Sequence, residues 1–334
     1  MAMVIESAGA LTTVQDLGRR GYANRGIQEN GACDKFSSRI ANKLAGNRED
    51  AAVLEMTLKG DCIRFTSEAV IALAGADMQP TINGRRIPMY HPVAVESGAV
   101  LNAGTAVFGL RTYLAVRGGI HVPVVLGSRS TGLKCRMGGY EGRALRCGDV
   151  LEIGNEADSG MTGTDGSGGI NGSGRAAAGD CGSEGCVKAL LPSCGVRLAG
   201  GKQYPQLRVV PGPQQEAFTE KGLLTFTGEI YHLTAQCDRM GCKLEGPVIE
   251  TFHGSDIISD GIVEGSIQVS SDGQPIVMLA DHQTTGGYAK IGTLIRADVP
   301  RMAQMRPGDA VSFCFVTAGE AVLAARAMER QFDL

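Results

Sequence analysis

The chain contains no tryptophan, and its aromatic content is only 5%. With so few large rings, the interior has to be filled by aliphatic side chains and close backbone contacts, and 48 glycines among 334 residues make such contacts easy. That balance favours β structure with many tight turns over a helical bundle. A basic excess is also missing: 32 Lys and Arg against 35 Asp and Glu leave a formal net charge of −3, which argues against nucleic acid or an anionic membrane as partner. No apolar run approaches the roughly 18 residues of a membrane span. The start MAMVIESAGALTTVQDLG has no basic stretch leading into an apolar one. The expectation is a cytoplasmic chain whose partner is a protein or a small molecule.

Several signatures of chemistry are absent as well. There is no G-x-x-x-x-G-K-[ST] phosphate loop, no G-x-G-x-x-G, no G-x-S-x-G and no H-E-x-x-H, so the chain is not expected to hydrolyse ATP or hold a dinucleotide by itself. If ATP is consumed, another chain supplies that site. The ten cysteines belong to a long chain without an export signal, which reads as reduced thiols used as small buried hydrophobes rather than a disulfide framework. Two pairs share a C-x4-C spacing, Cys181 with Cys186 and Cys237 with Cys242, with Cys194 after the first. Zinc sites use shorter spacings with further partners, so no metal site is expected.

What the chain does have is a succession of short apolar segments punctuated by turn residues. From Asp61 to Gly154 these include CIRF, AVIALAG, YLAVRGG and DVLEIG, with Asn83-Gly84 as a hairpin turn, and the pattern resumes after Tyr204. Such spacing predicts a sandwich or barrel in each half. The halves close on similar phrases, ALRCGDVLEIG and AQMRPGDAVSFCFV, which agrees with two β lobes of comparable size. We place the N-terminal lobe at 1–154, a Gly/Ser-rich linker or surface excursion at 155–204, and the C-terminal lobe at 205–334. Helix signals are few. DKFSSRIANKLAGN carries Phe36, Ile40 and Leu44 at helical spacing, with Asp34 as N-cap and Gly46-Asn47 as stop, and GEAVLAARAMERQF predicts a C-terminal helix.

The densest chemistry lies in ADHQTTGGYAK, residues 280–290. Asp281 and His282 are suited to proton transfer, and Lys290 to neutralising a carboxylate or developing oxyanion. Thr284, Thr285 and Tyr288 offer hydroxyls, and Gly286-Gly287 would let a substrate approach the backbone. A well-capped turn explains the same residues equally well. A second cluster, TTVQDLGRRGYANRGIQENGACD, holds Gln15, Asp16, Arg19, Arg20, Asn30 and Asp34 among four glycines and reads either as a recognition loop or as a surface loop. GSRST, RMGGYEGRAL and DRMGCKLEGP are similar in type, and Arg129, Arg143 and Arg239 suit carboxylate binding.

Taken together, TTVQDLGRRGY, GACD, YLAVRGGIHVPVVLGSRST, LRVVPGPQQEAFT, DRMGCKLEGP and GSIQVSSDGQPIVMLADHQTTGGYAKIGTLIRADVPRMAQMRPGD resemble the biotin-dependent carboxyltransferase family. This family includes the C-type subunits of 5-oxoprolinase, also described as allophanate hydrolase subunit 2 and as kinase-inhibitor antagonists. The resemblance covers nearly the whole chain except the Gly/Ser segment. It implies a mainly β fold of two cyclophilin-like β-barrel lobes with few helices. It also implies a B-type sister chain of similar fold, a third chain of the A type, and ATP-driven opening of 5-oxoproline to glutamate by the complex, with ATP used by a partner. On that footing Asp281, His282 and Lys290 are the catalytic candidates, and Gln15, Asn30, Arg239, Thr284, Thr285, Gly286, Gly287 and Tyr288 the substrate-binding ones. No cofactor is assigned to this chain itself. Two alternatives remain open: a carboxyltransferase that uses carboxybiotin on a urea-like substrate, and a regulatory module that binds a histidine-kinase inhibitor.

Overall fold

The computed structural model describes residues 1–154, 195–197 and 203–332. In the N-terminal half, two antiparallel sheets enclose one aliphatic core. The first runs in the order Ile120–His121, Val150–Ile153, Ala2–Ser7, Cys62–Phe65, Val100–Asn102, Thr81–Ile82, Arg85–Arg86. The second runs Leu11–Gln15, Val53–Thr57, Phe108–Val116, Ala69–Asp77, Val93–Val95. Alternation along the strands decides what goes inside: Met3 and Ile5 from one sheet meet Leu54, Met56, Ile71, Leu73 and Leu114 from the other. The opposite face of the second sheet carries mostly small residues, Ala72, Ala74 and Ala115, with Val53 and Tyr113, and this lets the helix Lys35–Ala45 lie close through Ala41 and Ala45. Asp34 caps that helix by accepting from Ser37 N at 2.8 Å, and Gly46 ends it in the left-handed region, as the sequence predicts. The expected hairpin turn is also present, with Asn83 at φ 50° and Gly84 at φ 78°.

The C-terminal half closes on itself. Gln203–Pro211, Lys290–Leu294, Ser266–Val269, Pro275–Met278, Gly241–Glu245, Tyr231–Cys237 and Ala310–Phe315 pair in sequence around a ring, and the last returns to the first through a parallel ladder from Gln206↔Ser312 to Val209↔Phe315. Closure removes the open sheet edges that favour aggregation. Stacked Phe226 and Phe313, with centroids 4.7 Å apart, and Tyr231 fill this barrel together with aliphatic side chains. Phe226 comes from the helix Glu220–Gly228.

The two closing phrases fold alike. In each, an aspartate accepts from a backbone N–H three residues earlier, Arg146 N to Asp149 at 2.7 Å and Arg306 N to Asp309 at 2.8 Å. Gly148 and Gly308 both sit at φ 91°, and a strand of the lobe follows each turn.

The lobes are joined by polar and apolar contacts. The helix Ala318–Glu329 brings Glu329 to Arg39, which donates to it at 3.0 and 2.7 Å, and Phe332 packs edge-on against Phe36 at 4.9 Å. A small third apolar patch, Cys33, Ala280 and Ala303, sits where the lobes touch.

Two expectations need correction. The linker boundary at 204 falls inside the strand Gln203–Pro211, and Gly195–Arg197 pairs with that strand, because the barrel recruits backbone from the end of the glycine-rich stretch. The rest of that stretch, with Cys181, Cys186 and Cys194, lies outside the described residues. Cys237 and Cys242 are not reduced thiols: they face each other across a hairpin with Cα atoms 4.1 Å apart and form a disulfide. Among the described residues no helix is long and apolar enough to cross a membrane.

Candidate functional site

The seam between the lobes gathers charged side chains that elementary solvation would keep at the surface. Arg19, Glu55, Arg111, Arg239 and Asp281, with the neutral amide of Asn30 among them, are each at most 5% exposed. Burying such groups is tolerated only when each finds partners, and here they partner one another.

Arg239 is central. It stands on the turn between Tyr231–Cys237 and Gly241–Glu245, whose strands are cross-linked by the disulfide beside it. Its Nε donates to Asp281 Oδ2 at 2.9 Å and its Nη2 to Asp281 Oδ1 at 3.1 Å, a bidentate pairing that fixes the plane of both groups. Nη2 also donates to Gly31 O at 2.6 Å, and Nη1 to Glu55 Oε1, so one guanidinium ties the two lobes together. Burial opposes its charge, but Asp281, Cys33 and Glu55 outweigh it and hold the Arg239 guanidinium well above its ordinary range. Glu55 shows the reverse balance: burial pushes it up, yet Arg239 and Arg111 leave it below the ordinary glutamate range.

Asn30 completes the Asp281 side. The Asn30-Gly31 pair has φ 57° and 93°, a left-handed stretch suited to this dipeptide. Glycine is required at 31 because a Cβ there would lie 2.9 Å from Gly18 N. Arg19 donates through Nη1 to Asn30 Oδ1, so the carboxamide oxygen is spoken for and Nδ2 is turned to donate to Asp281 Oδ1 at 2.8 Å. Arg19 itself has neutral acceptors only, including Ser130 O at 2.7 Å, and burial pulls its guanidinium below the ordinary range against the pull of Asp16 and Asp281. Gln28 closes the cluster by donating to the carbonyls of Asp281 and His282.

The arrangement leaves useful donors. Arginine has five N–H groups, and the bonds to Asp281, Gly31 and Glu55 leave one on Nη1; Asn30 Nδ2 keeps one as well. A carboxylate with two uncommitted donors in its immediate surroundings is equipped to take a proton while charge develops on a nearby oxygen.

The stretch 280–290 is split by the fold. Asp281 joins the seam and His282 lies beside it, 7% exposed, with Nδ1 at 2.7 Å from Gln283 O, an oxygen that can only accept. Thr285–Tyr288 is not a loop but a strand paired with Asp256–Gly261, where Thr285 faces Gly261 and Gly286 faces Asp260. Thr284 accepts from Ile262 N through its carbonyl, and the Tyr288 carbonyl accepts from Gln268 at 3.1 Å. Gly286 is small because Gln268 Nε2 would lie 2.7 Å from a Cβ there; Gly287 has no such crowding. Lys290 is held by Asp260 at 2.6 Å and Gly261 O at 2.7 Å and makes no hydrogen bond to Asp281. Gln15 reaches Thr13 Oγ1 at 3.0 Å and Thr131 O at 3.2 Å, while its Oε1 is buried without a partner.

Glu55, Tyr113 and Arg111 were not singled out in the sequence. The one signal was an acid between the apolar residues Leu54 and Met56 of the strand VLEMT. Of the other arginines suggested for carboxylates, Arg143 pairs with Asp149 at 2.7 Å, and Arg129 donates to Val122 O at 3.2 Å. Among the described residues no group of His, Cys, Asp and Glu is arranged to hold a metal ion.

The seam also makes a prediction about a neighbour. A Cβ on Gly132 would lie 2.8 Å from Asn30 Oδ1, so Gly132→Ala should push the carboxamide off its Arg19 contact. We expect turnover to fall about tenfold with little change in melting temperature; steady-state kinetics beside a thermal melt check this.

The chain has relatives among known proteins. Residues 25–315 match the family model for the carboxyltransferase domain, subdomain A and B. The chain is 35% identical to the C subunit of 5-oxoprolinase from Escherichia coli over 98% of its own length and 95% of that protein. It is 32% identical to the corresponding 5-oxoprolinase C chain of Haemophilus influenzae, covering 96% and 93% of the two chains. The crystal structure of Kluyveromyces lactis urea carboxylase superimposes with a TM-score of 0.84 at 30% identity over 99% of this chain, which spans 29% of that one. The two-lobed β fold and the sequence motifs thus agree with the comparisons, and the chain belongs to the carboxyltransferase domain family of subdomains A and B.

Proposed function

We propose that this chain is the C-type member of an ATP-dependent 5-oxoprolinase complex that opens 5-oxoproline to glutamate together with partner chains. The observation that carries this reading is end-to-end similarity to the C subunits of two 5-oxoprolinases, with no large segment of either left uncovered. Designation as a subunit implies a hydrolase of several chains. We assign the other members as a sister chain of similar fold, the B type, and a third of the A type, with ATP used by a partner. In this reading Asp281 takes the proton from the water that adds to the lactam carbonyl. The free N–H groups of Asn30 Nδ2 and Arg239 Nη1 stabilise the developing oxyanion. Gln15 Oε1 is the acceptor for the lactam N–H; as the adduct collapses and the C–N bond breaks, Asp281 returns its proton to the leaving nitrogen, and His282 Nε2 takes the proton of the new carboxyl group. Lys290 and residues Thr284 to Tyr288 support the two-stranded sheet of Asp256–Gly261 and Thr285–Tyr288.

A second reading, transfer of a carboxyl group from carboxybiotin to a urea-like substrate, is favoured by the likeness to urea carboxylase. Biotin would supply an activated carboxyl group. Asp281, Asn30 and Arg239 are at most 5% exposed, so a bicyclic ring does not fit among them as they are packed, and we derive no step through it. A five-membered lactam is smaller but also needs the lobes to part.

The test is glutamate release from 5-oxoproline with ATP, using the complex co-expressed from neighbouring coding regions with and without this chain. Release that requires the chain is expected. A well-formed complex that releases no glutamate, and whose turnover of urea-like substrates is blocked by avidin, would overturn the first reading in favour of the second.

A further inference from the structure

We propose that Glu55 is a positioning residue for the reaction at Asp281, acting through Arg239; this rests on the reading of Asp281 as the reacting carboxylate. Glu55 lies in the strand Val53–Thr57 of the N-terminal lobe, whereas Arg239 and Asp281 belong to the other lobe. It is 1% exposed, and donors converge on both of its oxygens. Arg239 Nη1 takes Oε1; the backbone N–H of Cys33 and the hydroxyl of Tyr113 donate to Oε2, each at 2.8 Å. Arg111 Nε stands 3.8 Å from Oε1 without a hydrogen-bond partner of its own.

Stability does not explain such a residue. Replacing a buried ion pair by apolar groups of similar size is often neutral or favourable, because the desolvation penalty rivals the attraction. A strand otherwise made of Val, Leu, Met and Thr has an apolar solution at hand at position 55. Orientation does explain it. Asp281 grips one edge of the guanidinium, Gly31 O accepts from Nη2, and Glu55 holds the remaining nitrogen, so the plane of Arg239 cannot rotate about its Cδ–Nε bond. Glu55 is itself braced, because Tyr113 OH also accepts from Asp34 N at 2.7 Å, at the cap of the helix Lys35–Ala45. The uncommitted Nη1 hydrogen of Arg239 therefore has a direction fixed by the opposite lobe. Arg239 is also shared between two carboxylates, so its charge is not spent on Asp281 alone.

The experiment is a double-mutant cycle in the assembled complex with Glu55→Gln, Arg239→Lys and the double variant. Glu55→Gln should lower kcat about 100-fold with KM changed less than about threefold. The double variant should be no slower than the slower single variant, because both changes break one path. Losses that multiply would show that Glu55 acts elsewhere and would overturn the proposal, as would a full-rate Glu55→Gln. A purely structural role would instead lower the melting temperature and leave kcat per folded complex unchanged. Should Glu55→Gln not assemble, Tyr113→Phe loosens the same carboxylate and should lower kcat about fivefold at constant KM; an unchanged kcat there is equally decisive against it. Asp281→Asn separates the two layers. If it turns over normally, the reading of the site fails; if it is inactive while Glu55→Gln is fully active, only the role of Glu55 fails.

Discussion

Arg239→Ala is expected to abolish measurable turnover and to destabilise the chain by about 3–5 kcal/mol, the cost of leaving a buried carboxylate without its partner. Two carboxylates lose out at once, since Asp281 and Glu55 both depend on this guanidinium, so the upper part of that range applies. Chemical denaturation at neutral pH checks the size, and the pH dependence checks the cause. Glu55 lies below the ordinary glutamate value of 4.5 in the folded chain. Its contribution is therefore complete above the unfolded pKa and is lost as the pH falls through the lower folded value. In the alanine variant that depression disappears, so the loss of stability on acidification below about pH 4.5 should be shallower than in the wild type. A variant as stable and as active as the parent would show that the seam is not built around Arg239.

Asp281→Asn should lower kcat by about 10²- to 10⁴-fold while the complex still assembles. The change is isosteric, but an amide cannot take a proton at neutral pH, and it brings donors where the site supplies only donors. Both oxygens of Asp281 accept at present, from Arg239 Nε and Nη2 and from Asn30 Nδ2. An NH₂ in place of one oxygen must face one of them without an acceptor, at a cost of about 1–3 kcal/mol. The activity loss is therefore expected together with a modest drop in melting temperature. Single-turnover assays in the complex, normalised to folded protein, distinguish the two. A rate within threefold of wild type would remove Asp281 from the chemistry.

The seam also shows why its parts are hard to see one at a time. Asn30 is 251 positions from Asp281, and Arg239 is 184 from Glu55. Motif density drew attention to Asp281, Asn30 and Arg239, and the fold joins their side chains by hydrogen bonds. It also drew in Lys290, only nine positions from Asp281, whose ammonium bonds to Asp260 and Gly261 O rather than to that carboxylate. A strand intervenes: Thr285–Tyr288 carries the chain away, and Lys290 pairs with Asp260.

The sequence by itself determined the local structure. Period-two alternation, glycines at tight turns, the Asp34 cap and the repeated Gly-Asp turn all depend on residues a few positions apart, whose preferences act before distant chain segments meet. Only the tertiary structure decided which polar groups would be buried together. A lone glutamate in VLEMT, an arginine in a hairpin turn and an asparagine before a glycine carry no mark of one another. Their meaning comes from packing two lobes face to face, where low dielectric makes every buried charge seek a partner.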